Sequence, residues 1–462
     1  MTVYSNDDVF GTLAFAALRK FLELRRSRSS GKLGSFADFE GEVHRLVADL
    51  ERDIVGTELA RYDVDAPYIR VDGVRHRKAL RAQETYVGQA GPMRVERNLY
   101  QPVGGGRTIC PLELQGGIVE GAWTPRAARI MATVVTEIPP TDAARIIAEF
   151  GGMTPSASSL DRLPKRLSER WEDHRIEWED MLRTQDRVPR GAATIAVSID
   201  GVHVPLKKNE VRDDPTNKNG YREASCGTVS YLDKEGNRLS TVRFSRMPEG
   251  KKRTLKAQLE AEFNWAMAQR PRLRIAKLAD GAADNWDFLQ ELGGGEGAEI
   301  LDFYHAATHL KDAADAVHGA ETPAARALFE SWKTTLKEDK AGADKVIRAV
   351  RYRRDQAQGA ARKTLTEVLG YLRSMRNGMQ YQAFREQGLP IGSGVVEAAC
   401  KTLVGERLKQ SGMRWSIRGG QAILTLRALE QSNRWENAWA ILATSYKATV
   451  RIEIPQQKRE AA

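Results

Sequence analysis

The stretch TIAVSIDGVHVPL (194–206) decides the fold. From Thr194 to Ile199 it is almost wholly β-branched or apolar, the mark of a strand buried on both faces, and it then meets an Asp-Gly pair. Downstream, CGTVSYLDKEGNRLSTVRFSRM (226–247) holds two strand runs joined by the turn DKEGN, which predicts a hairpin. TLKAQLEAEFNWAMAQRP (254–271) has helical spacing and stops at proline. LRIAKLADGA (273–282) is another apolar strand ending in Asp-Gly, and NWDFLQELGGG (285–295) a helix with a glycine stop. AEILDFYHA (298–306) is a fifth strand running into helix.

Strand, hairpin, helix, strand, helix, strand is the order of a ribonuclease-H-like α/β fold, in which a mixed sheet carries catalytic carboxylates at its strand ends. Asp200 and Asp280 each close an apolar run and precede a glycine. A carboxylate there faces solvent, and two such strands side by side bring both to one point. Magnesium takes oxygen ligands of this kind and keeps some waters for a substrate phosphate. A single Asp-Gly after a strand is usually only a turn. The pair, on strands in this order, is what gives the metal reading weight.

Outward from this region (189–305, the first part of the core), residues 1–65 read as helical, with FGTLAFAALRKFLELRRSRS (10–29) and FADFEGEVHRLVADLERDIVGTELARYD (36–63) flanking a SRSSGKLGS loop (27–35). Residues 66–123 are basic and strand-like, with alternation in PMRVERNLY (92–100) and a GGG turn: a small β-ribbon. Residues 124–188 turn helical again. Thr141 is the expected N-cap of one helix and Gly151 its stop, and Ser156 starts the next, which Pro164 is expected to interrupt. The two helices around GGMTP (151–155) resemble a helix-turn-helix whose second member, carrying Arg162, Lys165 and Arg166, enters a major groove. A plain helical hairpin is the alternative. Residues 306–388, rich in Ala, Lys and Arg, form a helical insertion; 389–450 supply the core's final helices; 451–462 are a frayed tail.

Composition narrows the partners. The chain has 462 residues and a net charge of +10, which favours a polyanion because each cation on a phosphate releases a counterion. No run approaches eighteen apolar residues, and acidic residues precede the N-terminal apolar stretch, so neither a membrane span nor a secretory signal is expected and a cytoplasmic location is. Cys110, Cys226 and Cys400 are far apart and lack CxxC neighbours, which argues against disulfides and zinc.

Glu397 lies early on a helix after the loop GLPIGSG (388–394). A third carboxylate lets two Mg2+ or Mn2+ ions bridge a scissile phosphate, one activating the attacking oxygen and one stabilising the leaving oxygen. Alone, Glu397 reads as half of a helical pair with Lys401. Asp302 and His305 in DFYH, with His309 one turn on, stand beside this site in sequence; an imidazole there positions a phosphate or shuttles a proton, or simply braces the site through Asp302.

The strings VSIDG (197–201), LADGAADNW (278–286), DFYHAATHL (302–310) and IGSGVVEAACKTLVGERLKQSGMRWS (391–416) together resemble the Kra-type insertion-sequence transposases, bacterial DDE enzymes. The resemblance covers roughly 190–445. It implies that Asp200, Asp280 and Glu397 are the catalytic, metal-binding triad, that Asp302 and His305 match a D-x-x-H signature, and that the protein nicks DNA at terminal inverted repeats and joins the freed 3′-hydroxyl to target DNA as a dimer or larger assembly. Where that family often carries paired cysteines before the helix-turn-helix, this chain keeps only Cys110, so no structural zinc is expected. Lys401, Arg407, Lys409, Arg414 and Arg418 cluster after Glu397 and suit phosphate contacts; Trp415 suits stacking on an unpaired base, or core packing. Lys207, Lys208, Lys251, Lys252 and Arg253 follow strands and suit the DNA backbone. The alternatives are a structure-specific nuclease on the same core and a domesticated, non-catalytic DNA-binding protein.

Overall fold

A computed structural model describes residues 6–29, 35–210 and 220–453. Of the expected loop 27–35, residues 30–34 lie outside them and 27–29 continue the first helix; of the expected frayed tail 451–462, residues 454–462 lie outside them. The chain divides into two compact units, Met1–Trp178 with Glu436–Ala462, and Glu179–Trp435. The division thus falls about ten residues before the expected boundary at 188, and the chain from Glu436 onward belongs with the first unit rather than with the core.

In the first unit, α1 (Asn6–Ser29) and α2 (Phe36–Ala60) are long helices, and Ser35 caps α2 by accepting from the Asp38 amide. β1 (Tyr68–Val71), β2 (Val74–Gly88) and β3 (Gly91–Pro102) form the expected ribbon, pairing antiparallel in sequence order. Its alternation buries Tyr86, Met93 and Val95 on one face, while Tyr100 packs with Val64, Ala66, Ile69 and Val71 in a separate cluster. The last strand, β9 (Val450–Ile452), pairs with the free edge of β1 and corrects the expected tail. Glu453 fastens this edge through Arg70 and Arg75, at 2.6 and 2.7 Å.

Next come α3 (Pro111–Gly116), α4 (Pro125–Glu137), α5 (Pro140–Glu149), α6 (Ala157–Asp173) and α7 (Arg175–Gln185), with α18 (Trp435–Ser445) near the chain's end. Thr141 is not the N-cap of α5: Pro140, with φ already helical, occupies the first turn, so the cap falls on Pro139. Gly151, at φ 76°, does end that helix, and Ser156 caps α6 through the Ser159 amide. Pro164 does not interrupt α6. It is buried with Leu160, Leu163, Leu167 and Trp171, and this packing offsets the hydrogen bond proline cannot donate.

The second unit is mixed α/β. β4 (Thr194–Pro205), β5 (Tyr221–Leu232), β6 (Arg238–Arg246), β7 (Arg274–Ala279) and β8 (Ala298–Leu301) form a sheet of order β6-β5-β4-β7-β8. β4, β5 and β6 run antiparallel in succession, while β7 pairs parallel with both β4 and β8. Because β4 is central and its side chains alternate, Ile195, Val197 and Ile199 face one layer while Ala196 faces the other. The first layer is α8 (Arg253–Gln269) and α9 (Ala283–Glu291), through Leu255, Leu259, Phe263, Trp286 and Leu289. A Cβ added at Gly227 would lie 2.7 Å from Leu259, so glycine lets α8 settle directly on β5.

The opposite face is covered by α10 (Phe303–His318), α11 (Pro323–Glu338), α12 (Gly342–Gln356) and α13 (Gly359–Ser374), with α14 (Tyr381–Glu386) beside them, which is the expected helical insertion. The chain then returns as α15 (Gly394–Ala399), a π-helical turn at Cys400–Gly405 and the short α16 (Glu406–Leu408), followed by α17 (Ile417–Gln431). These pack on the distal half of β4 and on β5 through Val204, Leu206, Ala224, Val396, Leu403 and Ile423. No described helix is long and apolar enough to cross a membrane.

Candidate active site

Register places the two aspartates. β4 and β7 pair from Thr194↔Arg274 to Ser198↔Leu278, a constant offset, and the same offset carried two residues on sets Asp200 opposite Asp280. The strands part there, because β7 ends at Ala279 while β4 continues to Pro205. Asp200 is therefore not at a strand terminus, as the Asp-Gly pair suggested: it sits mid-strand, paired with Cys226 on β5, at the point where β4 loses its parallel neighbour. At Gly201 the Glu223 side chain lies across the backbone, so a Cβ there would force Glu223 to move.

Asp280 begins a turn rather than facing solvent freely. Its Oδ1 accepts from the Ala282 amide at 3.1 Å and weakly from Asn285 at 3.5 Å. Its carbonyl accepts from the Tyr371 hydroxyl at 3.2 Å, so a residue of α13, in the insertion, fastens the turn. Gly281, at φ 104°, admits that hydroxyl, 3.0 Å from where a Cβ would sit.

Glu397 stands in the first turn of α15, where it accepts from the Ser393 hydroxyl at 3.2 Å. The expected alternative, a pair with Lys401, does not form among the described residues. Asp302 is fully buried and caps α10: Oδ1 accepts from the His305 amide at 2.6 Å, and Oδ2 accepts from the Ser393 amide. Both of its oxygens are thus spent on joining the start of α10 to the loop before α15. The expected brace exists, but it runs to the His305 backbone and not to the ring.

The electrostatics tie these groups together. Burial, then repulsion from Asp280 and Glu223, pushes the Asp200 carboxyl above the usual carboxylate range. Loss of hydration and the charges of Asp302 and Asp200 push Glu397 up, with His305 pulling it back. Carboxylates that resist ionising through burial and neighbouring negative charge are relieved by a cation, and their oxygens are the hard donors that magnesium or manganese prefers. In donor chemistry the carboxylates of Asp200, Asp280 and Glu397 are the groups that would hold such an ion. Among the described residues, however, no three His, Cys, Asp or Glu side chains already converge tightly enough to ligate one ion.

His305 and His309 share one face of α10 as expected, their ring centroids 5.2 Å apart, and Tyr371 lies 3.9 Å from His309. Burial and the neighbouring His305 push His309 below the ordinary histidine value, against Asp312. Since the folded state resists protonating it, the folded protein is favoured above the unfolded value near ~6.5 and loses that advantage as pH falls through it. Stability measured by urea titration should therefore drop between pH 7 and 5, and His309→Gln should flatten that drop. An unchanged slope would rule out His309 as its source.

The basic residues sort differently from expectation. Arg407 is buried, 1% exposed, with its guanidinium over the Trp415 ring, so it supports the α16 segment and is not presented to a phosphate. Trp415 is half-buried and donates Nε1–H to the Leu408 carbonyl at 3.0 Å, which favours its packing role. Lys401, Lys409, Arg414 and Arg418 are exposed. Lys252 bridges Glu223 (2.9 Å) and Asn285 (2.8 Å), bracing the site instead of facing DNA; Lys207, Lys208, Lys251 and Arg253 are exposed. On α6, Lys165 pairs with Asp161 and Arg166 lies near Glu120 and Glu169, so of that trio Arg162 is the residue without an ion pair among those described.

Sequence reasoning missed Tyr371, Ser393, Asn285, Glu223 and Cys400, whose thiol lies 3.7 Å from Asp200 Oδ2. Each reaches the site from a different element, and no local pattern marks them. No family model matches the chain, and no curated protein is similar to it.

Proposed function

We propose that the protein is a DDE transposase with a ribonuclease-H-like core, cutting DNA and joining it through Asp200, Asp280 and Glu397. The observation that carries this reading is the register that faces Asp200 with Asp280 where β4 and β7 part, with the Asp200 charge near enough to help push the Glu397 carboxyl up. The order β6-β5-β4-β7-β8, antiparallel on one side of β4 and parallel on the other, supports the ribonuclease-H-like assignment. The likeness of 190–445 to Kra-type insertion-sequence transposases supports transposition over simple hydrolysis.

Two Mg2+ or Mn2+ ions, when bound, supply an activated attacking oxygen and a stabilised leaving oxygen. The chain's own residues do the rest. Asp302 and Ser393 hold Glu397 toward the aspartates, Tyr371 fixes the Asp280 turn, and His305 is placed to meet a phosphate oxygen or carry a proton. Terminal inverted repeats are bound by the first unit, and two copies of the chain bring two ends together in the nucleoid.

Purified full-length protein, a plasmid carrying the DNA that flanks its gene, and Mg2+ should give nicks at discrete positions and then joined products. Discrete nicks without joining would leave a structure-specific nuclease. No metal-dependent nicking, with DNA still bound, would leave a non-catalytic DNA-binding protein.

A further inference from the structure

In the first unit a cavity of about 280 Å3 is lined by Glu120, Ala122, Trp123, Ser159, Arg162, Leu163 and Arg166. Its chemistry is not that of a gap in packing. Trp123 supplies an aromatic surface, two guanidiniums outnumber one carboxylate, and Arg162 has no ion-pair partner among the described residues.

Glu120 is held there at a conformational cost. It has φ 52° and is followed by Gly121 at φ 67°, a turn whose first central position normally takes Asn, Asp or Gly. The Val119 and Trp123 backbones bond to each other across it. Its carboxylate is then oriented from outside the turn: Oε1 accepts from the Tyr446 hydroxyl at 2.9 Å, and Oε2 lies 3.8 Å from Arg166. Arg170 covers the Tyr446 ring at 4.2 Å. A strained acidic residue, fixed by a tyrosine and aimed into a basic, aromatic cavity, is a recognition element.

We propose that this cavity takes one unpaired nucleotide of bound DNA, with guanine preferred. The base stacks on Trp123, Arg162 meets its phosphate, and Glu120 accepts from the adjacent N1–H and N2–H groups that guanine alone presents side by side. This deepens the DNA-binding reading and rests on it.

The test compares labelled duplexes that are fully paired, or carry one bulged dG or one bulged dC, by fluorescence anisotropy with the full chain. The dG bulge should bind about tenfold tighter than the other two. Trp123→Ala should abolish that preference while leaving the paired duplex unaffected, Trp123→Phe should keep most of it, and Arg162→Ala, which removes a phosphate contact blind to the base, should weaken the dG and dC bulges by the same factor. Glu120→Gln should make dG and dC alike. Equal binding of all three duplexes by the native chain, or a dG preference that survives Trp123→Ala or Glu120→Gln, overturns the proposal alone. Binding to none of them overturns the DNA-binding reading and this inference with it.

Discussion

Asp200→Asn should abolish Mg2+-dependent nicking, by about 10^3-fold or more, and at the same time make the metal-free protein more stable. The loss follows from the proposed role: a metal ligand supports several kcal/mol of charge stabilisation in the transition state, and about 4 kcal/mol is a factor of 10^3. The gain follows from the position of the side chain. Burial and the charges of Asp280 and Glu223 raise the Asp200 carboxyl in the folded state, so its ionised form opposes folding. For a carboxyl with a raised folded value, the penalty is fully present above that value and is relieved as pH falls through it. Asparagine keeps the shape and removes the charge, which should add about 1 kcal/mol at pH 7 and flatten the pH dependence of stability on the acid side.

Metal makes the two halves of this prediction separable. Saturating Mg2+, at about 100 times its dissociation constant, should stabilise the native protein by about 2.7 kcal/mol, and the asparagine variant by far less. Differential scanning fluorimetry with and without Mg2+, alongside the nicking assay, reads both effects. A variant that nicks normally refutes the metal mechanism. One that loses both activity and metal-free stability shows instead that Asp200 is needed for packing.

The sheet was legible because β4 opens on an almost wholly apolar run and β7, after its first residue, is one broken only by Lys277, and both runs lead into an Asp-Gly pair, although only Asp280 begins a turn. The register of those strands was not legible: it depends on how β7 slides against β4, and only the shared end of their pairing shows that Asp200 and Asp280 are neighbours. The capping role of Asp302 was hidden for a similar reason. Its carboxylate joins a backbone amide three residues on to another 91 residues away, and only the first of these is local. Arg407 shows how charge misleads, since a guanidinium in a basic cluster looks like a DNA contact until an aromatic ring and the core cover it. The π-helical turn at Cys400–Gly405, directly after Glu397, has no sequence mark at all; it reseats the helix so that Cys400 reaches Asp200 while Leu403 and Val404 stay in the core. β9 was missed because three residues are too few to show a strand period, and β1 supplies the template.

Arg434→Met should strongly destabilise the second unit. After α17 the chain turns at Asn433, in the left-handed conformation at φ 58°, and this brings Arg434 inward, its side chain 4% exposed. The guanidinium meets Glu262 of α8 at 2.7 Å and Asp186 at 2.6 Å. The two carboxylates differ in what happens when it is removed. Asp186 is 29% exposed and recovers water, whereas Glu262 is 0% exposed and its Oε2 already lacks a hydrogen-bond partner among the described residues. Methionine at 434 therefore strands a buried carboxylate, and breaking such a pair costs about 3–5 kcal/mol. Because the cost is the orphaned charge and not the lost attraction, the double variant Arg434→Met with Glu262→Met should regain most of the stability, and Glu262→Gln alone should cost less than Arg434→Met. Urea midpoints across these variants decide the matter: a loss below about 1 kcal/mol for Arg434→Met, or a double variant no better than the single, would show that Glu262 finds solvent or a proton and that the pair does not hold α8 to the end of the unit.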